Sequence, residues 1–243
     1  MAVTIPGGTP GTPSVGGGKT LIATVGVVRG RLHDELLPYA WDNDTLTQCV
    51  NETINELCTK VKMIEDAASA AICTHALLAG EYALTLSSRI VGINRAELAS
   101  TGAVLTILDD VQDMDQYSST WKTAAAGVPK FLIKGGLGSN VGRVWPASLA
   151  ADSILLTVTR LPLADLIWSV DQQAVLPIEQ IYHDKIYDGI LAHAYQKADS
   201  DTENLNKSAE HRERWEKKIE EILELHKYKA SVFQVAAPHP GWM

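Results

Sequence analysis

The stretch LPIEQIYHDKIYDGILAHAYQKAD, residues 176–199, constrains the fold more than any other. Ile178, Ile181, Tyr182, Ile186 and Ile190 recur at helical spacing, and Tyr187, Leu191 and Tyr195 form a second apolar stripe beside them. This predicts a helix over residues 178–198. A helix apolar over so wide an arc meets more than one neighbour. The stripe through Ile181, Ile186 and Ile190 is expected to face its own subunit. The stripe through Tyr187, Leu191 and Tyr195 is expected to face another helix of the same bundle or the next subunit.

Helical periodicity supplies the neighbours at both ends of the chain. In TLIATVGVVRGRLHDELLP the stripe is Leu21, Val25, Val28 and Leu32, with Leu36 continuing it and Pro38 just past the end. WDNDTLTQCVNETINELCTKV follows, with Asp44 as the expected N-cap and Leu46, Val50, Ile54, Leu57 and Val61 as its stripe. Near the C-terminal end, SDTENLNKSAEHRERWEKKIEEILELHKYK opens with a Ser200–Glu203 capping box. It carries a narrow seam of Leu205, Ala209, Trp215, Ile219, Ile222 and Leu223 between charged faces. Neither helical pair can hide its own stripes, so the two are expected to pack together.

Between them the pattern changes to short apolar runs punctuated by Gly, Pro, Asp and Ser, which read as strands and turns. A hairpin is expected to turn near Gly80 and a second over IKGGLGSNVGRVWP, with a short helical turn in DDVQDMDQYSSTWKT. The expected fold is α+β: an antiparallel bundle of N- and C-terminal helices, an inserted β-rich module and extended terminal arms. The expected segments are a Gly/Pro arm at 1–19, a helical hairpin at 20–62, the β-rich module at 69–161, bundle-completing helices at 176–228 and an apolar tail at 229–243.

The arm contains GGTPGTPSVGGGKT, which imitates a phosphate-binding loop. In G-x-x-x-x-G-K-[ST] the first glycine would fall at Pro13, which lacks the N–H that a phosphate cradle uses. Nucleotide binding is therefore not expected. Other chemistry is equally thin. The seven histidines and the cysteines show no metal-ligand spacing, and His33, Asp34 and Glu35 are adjacent rather than convergent. The cluster Asp109, Asp110, Asp113 and Asp115 lacks the glycine and closing glutamate of a calcium loop. No nucleophile motif is present, so no catalytic residue, cofactor or metal is expected. Cys49, Cys58 and Cys73 read as buried free thiols. Trp121, Trp145 and Trp168 read as packing residues rather than a stacking platform. A net charge of −8 argues against a protein that grips nucleic acid by its phosphates. No apolar run suits a membrane span, and no basic segment followed by an apolar one suggests a signal peptide.

The last residues, SVFQVAAPHPGWM, hold no charged side chain. Phe233, Val235, Pro238, Pro240 and Trp242 make a stiffened aromatic segment suited to docking on a partner, with Phe233 and Trp242 as anchors.

The ordered series of segments resembles the head–tail connector (adaptor) proteins of tailed bacteriophages. A helix ending R-x-x-L-x-D is followed by a tryptophan, a leucine and an asparagine, here Arg29 or Arg31, Leu32, Asp34, Trp41, Leu46 and Asn51. LLAGEYALTLSSRIVGINRAEL is similar to the family's hairpin, although Leu86-Ser87 stands where Leu-Pro is usual. The strands around Trp121, Pro129 and Pro146, and the helical segment entered through Pro177, complete the series over about residues 20–226. The resemblance implies a non-enzymatic ring, usually of twelve copies, in the neck of a virion assembled in the host cytoplasm. The portal protein would lie above it and a tail or neck protein below, with DNA passing through its lumen without sequence-specific binding and no membrane involved. A stopper or tail-tube-completion protein is the alternative within the neck, and a small NTPase or hydrolase the alternative outside it.

Overall fold

The computed structural model describes residues 18–135, 138, 140–197 and 204–234, with side chains through 229. Among the described residues the protein is mixed α+β, with seven α-helices and two four-stranded sheets. It divides into two compact units. Unit 1 is drawn from Met1–Thr53 and Leu166–Trp215, and unit 2 from Ile54–Asp165 and Glu216–Met243.

In unit 1, helix α1 (Leu21–Leu32) buries Leu21, Val25, Val28 and Leu32, the stripe its periodicity predicts. It stops one residue later, where His33 takes a left-handed conformation (φ 56°) and returns its N–H to the carbonyls of Arg29 and Gly30. Leu36 therefore does not continue the stripe but stands 84% exposed. Helix α2 (Asn43–Val61) buries all five predicted stripe residues. Its cap is Asp42, whose carboxylate accepts the Thr45 N–H at 2.6 Å, and Asp44 instead lies in the first turn. The same contact holds the Asp42 carboxyl below its ordinary range.

The helix expected over 178–198 is shorter. After the single turn α5 (Trp168–Asp171), residues Gln180–Tyr182 form a 3-10 turn, and α6 spans only Tyr187–Ala194. Ile181 is consequently exposed, whereas Ile186 and Ile190 are buried. Gly189 makes α6 a close-packing element: a Cβ there would meet Thr53 at 2.5 Å and the Trp215 ring at 2.9 Å. Helix α7 (Leu205–Gln234) is capped by Asn204, whose side chain accepts the Lys207 N–H. It buries Ser208, Trp215, Ile219 and Ile222 but leaves Leu205 exposed. The predicted Ser200–Glu203 box lies outside the described residues.

Unit 2 is built on β8 (Asp152–Arg160), which pairs antiparallel with β4 (Ile90–Leu98) on one edge. Its other edge takes β1 (Glu65–Asp66) and β2 (Thr74–Leu77), and the single turn α3 (Ala70–Cys73) lies between those two strands. The second sheet runs β3 (Ala83–Thr85), β7 (Val141–Trp145), β6 (Phe131–Ile133), β5 (Thr106–Leu108), with only β5–β6 parallel. The glycine-rich link does join an antiparallel pair, β6 and β7. The chain also turns at Gly80 (φ +79°), but β2 and β3 belong to different sheets, so no hairpin forms there.

Alternate residues of β8, namely Ile154, Leu156 and Val158, enter one core shared with Leu77, Leu84, Leu132 and Val144 from both sheets. Register irregularities in β4 between Ile90 and Arg95 bring Ile93 and Ala96, three residues apart, into that core. On the outer face of the second sheet, Phe131 and Ile133 pack against Met114 of α4 (Val111–Tyr117) and Trp121.

Candidate functional site

The Gly-Lys-Thr stretch anchors the start of α1. A Cβ on Gly18 would lie 2.5 Å from Val175 and 3.1 Å from His183, so only glycine fits. The Lys19 N–H donates to His183 Nδ1 at 2.9 Å, which leaves Nε2 to donate to the Ile178 carbonyl at 3.0 Å. The Lys19 ammonium pairs with Asp184 and donates to the Tyr187 hydroxyl at 2.9 Å. The Asp184 contact, followed by that of Tyr187, raises the lysine pKa above its ordinary value. Thr20 accepts the Ala23 N–H and caps the helix. The lysine that a nucleotide would require is thus engaged by carboxylate and phenol.

One helix length away, the segment joining α1 to α2 is tied by a buried polar knot. Asp34 accepts from the Arg29 guanidinium at 2.6 Å and from the Ala40 and Trp41 N–H groups at 2.7 and 3.2 Å. Arg29 also donates to the Trp41 carbonyl and to Asn43. The Trp41 indole donates to the Ala194 carbonyl at 2.9 Å and meets Tyr195 edge-on. Of the two arginines that fit the sequence pattern, Arg29 is the buried one. Arg31 is exposed, with its guanidinium 4.5 Å from the Tyr187 ring centroid. Leu36, Leu37 and Tyr39 project from this tied segment, and the Leu37–Pro38 peptide is cis.

Tyr187, Leu191 and Tyr195 are all buried within the single chain. Tyr195 stacks on His211, whose Nδ1 lies 2.9 Å from Asp188. Leu46 is buried in α2, and Asn51 exchanges two hydrogen bonds of 2.9 Å with the backbone of Leu166. In unit 2, Trp121 is buried, donates to Asp115 at 2.6 Å and accepts from the Trp145 indole at 2.8 Å. Pro129 is buried, whereas Pro146, after a cis peptide bond, and Pro177 in unit 1 are half-buried.

Two carboxylates secure the ends of strands in unit 2. Burial opposes ionisation of Asp66, yet hydrogen bonds from Ser69, Ala68 and Arg160 outweigh it and hold the carboxyl low. Arg89 grips Asp165 through two nitrogens and lowers its pKa. The three cysteines are free and buried, and burial pushes Cys49 and Cys58 up to about 12, so these two thiols are held as inert SH groups.

Phe233 falls within the backbone of α7, with its side chain outside the description. Val235, Pro238, Pro240 and Trp242 lie outside the described residues. Among the described residues no group of three or more His, Cys, Asp or Glu side chains could hold a metal ion, and no helix is long and apolar enough to cross a membrane.

The polar clusters hold backbone segments together. Sequence reasoning had no signal for the His183, Asp184 and Tyr187 contacts of Lys19, which join residues more than 160 positions apart.

A family model described as SU10 adaptor protein matches residues 20–237. The match extends past residue 226 and takes in Phe233 and Val235 at the beginning of the apolar tail. A comparison with individually curated proteins returned no match.

Proposed function

Because the chain belongs to the SU10 adaptor protein family, a phage head–tail adaptor family, we propose that its copies form a ring, of twelve, beneath the portal. In this reading the ring continues the DNA channel and joins the capsid to the tail. The observation that carries it is that the matched segment runs through both units, so that helices and sheets alike belong to an adaptor. The engagement of Lys19 by Asp184 and Tyr187 supports a non-enzymatic role against the NTPase alternative. The helices of unit 1 serve as the antiparallel bundle, with Tyr187, Leu191 and Tyr195 in its interior. The protein acts in the virion neck after assembly in the host cytoplasm, and DNA slides past an acidic subunit without sequence-specific contacts.

The tail at 229–243 docks on the portal, with Phe233 and Trp242 as its anchors. A charge-free aromatic segment repeated at every copy favours such a contact. Deleting residues 231–243, which removes both anchors, should leave a folded subunit that no longer joins portal-bearing heads. Normal occupancy of the truncated protein on heads would exclude tail docking. Electron microscopy of purified necks tests the ring itself. Twelvefold symmetry is the expected result, and sixfold symmetry would favour a stopper or tail-tube-completion protein.

A further inference from the structure

Unit 1 and unit 2 each expose an apolar surface, and the two carry opposite charge. The first is the segment between α1 and α2. Leu36 and Leu37 are 84% and 77% exposed although the Asp34 knot fixes the backbone on both sides of them. Beside them Glu35 is exposed and makes no hydrogen bond or ion pair among the described residues. Exposed leucines on a tied segment are a poor choice for a surface that stays in water.

The second surface gathers three loops at one end of the β3–β7–β6 sheet. Backbone bonds from Gly80 to Ser148, from Ser148 to Glu81 and from Leu149 to Gly127 lock these loops together. They leave Leu78, Tyr82, Val128 and Leu149 exposed. Arg143 lies at this surface with its guanidinium 4.5 Å from the ring centroids of both Tyr82 and Trp121. Its Nε is buried without a hydrogen-bond partner, and no carboxylate pairs with it among the described residues. Lys130 nearby is exposed and equally without an ion pair. The acid of these loops, Glu81, accepts the Leu78 N–H. A guanidinium held rigidly between two rings, with donors to spare, suits a planar carboxylate. Apolar residues around such an arginine are the composition of a protein contact rather than of a phosphate-tracking groove.

We propose that the Glu35–Tyr39 segment of one copy inserts into the Tyr82–Arg143 surface of the next copy, with Glu35 received by Arg143 and Leu36 and Leu37 covering the exposed apolar loops. The match in charge extends beyond these residues. Unit 1 segments hold 8 basic and 14 acidic residues and unit 2 segments 13 and 15, so unit 1 carries most of the negative excess. A contact between two different surfaces of the same chain is heterologous, the kind that closes into rings. The inference rests on the ring reading above and adds the residues that join its subunits.

A charge swap in the full-length protein tests it, with assembly measured by mass photometry and folding by circular dichroism. Glu35→Arg and Arg143→Glu should each lower the population of rings at least tenfold at fixed concentration, and the double variant should recover most of it. Lys130→Glu, which touches no ring, should weaken assembly about threefold and guards against misfolding of the Arg143 variant. Rings from the Glu35→Arg protein at wild-type level, or folded single variants whose combination gives no recovery, would overturn the contact while leaving the ring reading intact. A wild-type protein that forms no ring, alone or on portal-bearing heads, would overturn both. Saturable binding of duplex DNA that is lost in Arg143→Glu and Lys130→Glu, with assembly unchanged, would reassign the surface to nucleic acid and overturn the proposal.

Discussion

Unit 1 and unit 2 solve the problem of joining distant segments in different ways. Among its described residues unit 1 has no sheet ladder to set its register, so helices and connecting loops are fixed by buried and part-buried polar contacts such as Arg29–Asp34, Asn51–Leu166 and Lys19–His183. Unit 2 sets register through β8, whose backbone pairs with three strands, and the core that β8 enters is almost wholly aliphatic. Two of its ion pairs, Asp66–Arg160 and Arg89–Asp165, stand near strand ends. Specificity is thus carried by a few irreplaceable polar atoms in one unit and by a repeated ladder in the other.

The largest expected effect tests that contrast directly. Asp34→Ala leaves the Arg29 guanidinium buried without its counter-ion and strips the Ala40 and Trp41 N–H groups of their acceptor. It should cost about 3–5 kcal/mol, with fast hydrogen exchange appearing first at those two amides. A loss below about 1 kcal/mol would mean that the knot is not what holds unit 1. In unit 2, Leu156→Ala should cost about 2–5 kcal/mol in urea unfolding, while Leu156→Met should cost less than about 1.5 kcal/mol. The ladder tolerates a change of shape that the knot does not.

A third variant sharpens the picture of unit 1. Gly189→Ala places a methyl against Thr53 and the Trp215 ring, and should lower stability by about 1–3 kcal/mol. Thermal unfolding would show it, and an unchanged midpoint would mean that α6 can draw back. The smallest effect concerns pH in unit 2. Asp66 and Asp165 have folded-state pKa values below those of the unfolded chain. Their stabilising contribution is complete above about pH 4 and is lost as pH falls through the folded values. Urea midpoints should therefore drop as pH falls below about 4, and Asp66→Asn should flatten that drop.

The contrast also explains which parts of the fold were legible in the sequence. The stripes of α1 and α2 were readable because one helix face repeats locally, and the β6–β7 pair because the glycine-rich link sits between two apolar runs. Gly80 misled because a turn looks the same whether its flanking strands pair with each other or with β8 and β7. The segment 178–186 has helical spacing, but His183 accepts from Lys19, and that distant tie accompanies a 3-10 turn in place of a helix. For the candidate site, Asp34 and Trp41 stood out as a sequence pattern. Spacing alone could not separate Arg29 from Arg31, because both lie near the end of α1 and only packing decides which is buried. Arg143 gave no signal, since its two aromatic neighbours lie 61 and 22 positions away in the chain.

The central place of β8 has a consequence for synthesis. β1, β2 and β4 are all translated before their common partner, which ends at Arg160. At about 5–20 residues per second, the 62 residues between the ends of β4 and β8 take roughly 3–12 s to add. Throughout that interval Ile93, Ala96 and Leu98 have no strand to cover them, and the nascent chain carries an open edge that other chains can meet. Ribosome-stalled chains ending before residue 150 should be cut by protease within β4, and chains that expose the whole of β8 should resist. The sheet of β1, β2 and β4 is then completed late, in one step, by a strand that arrives after everything it joins.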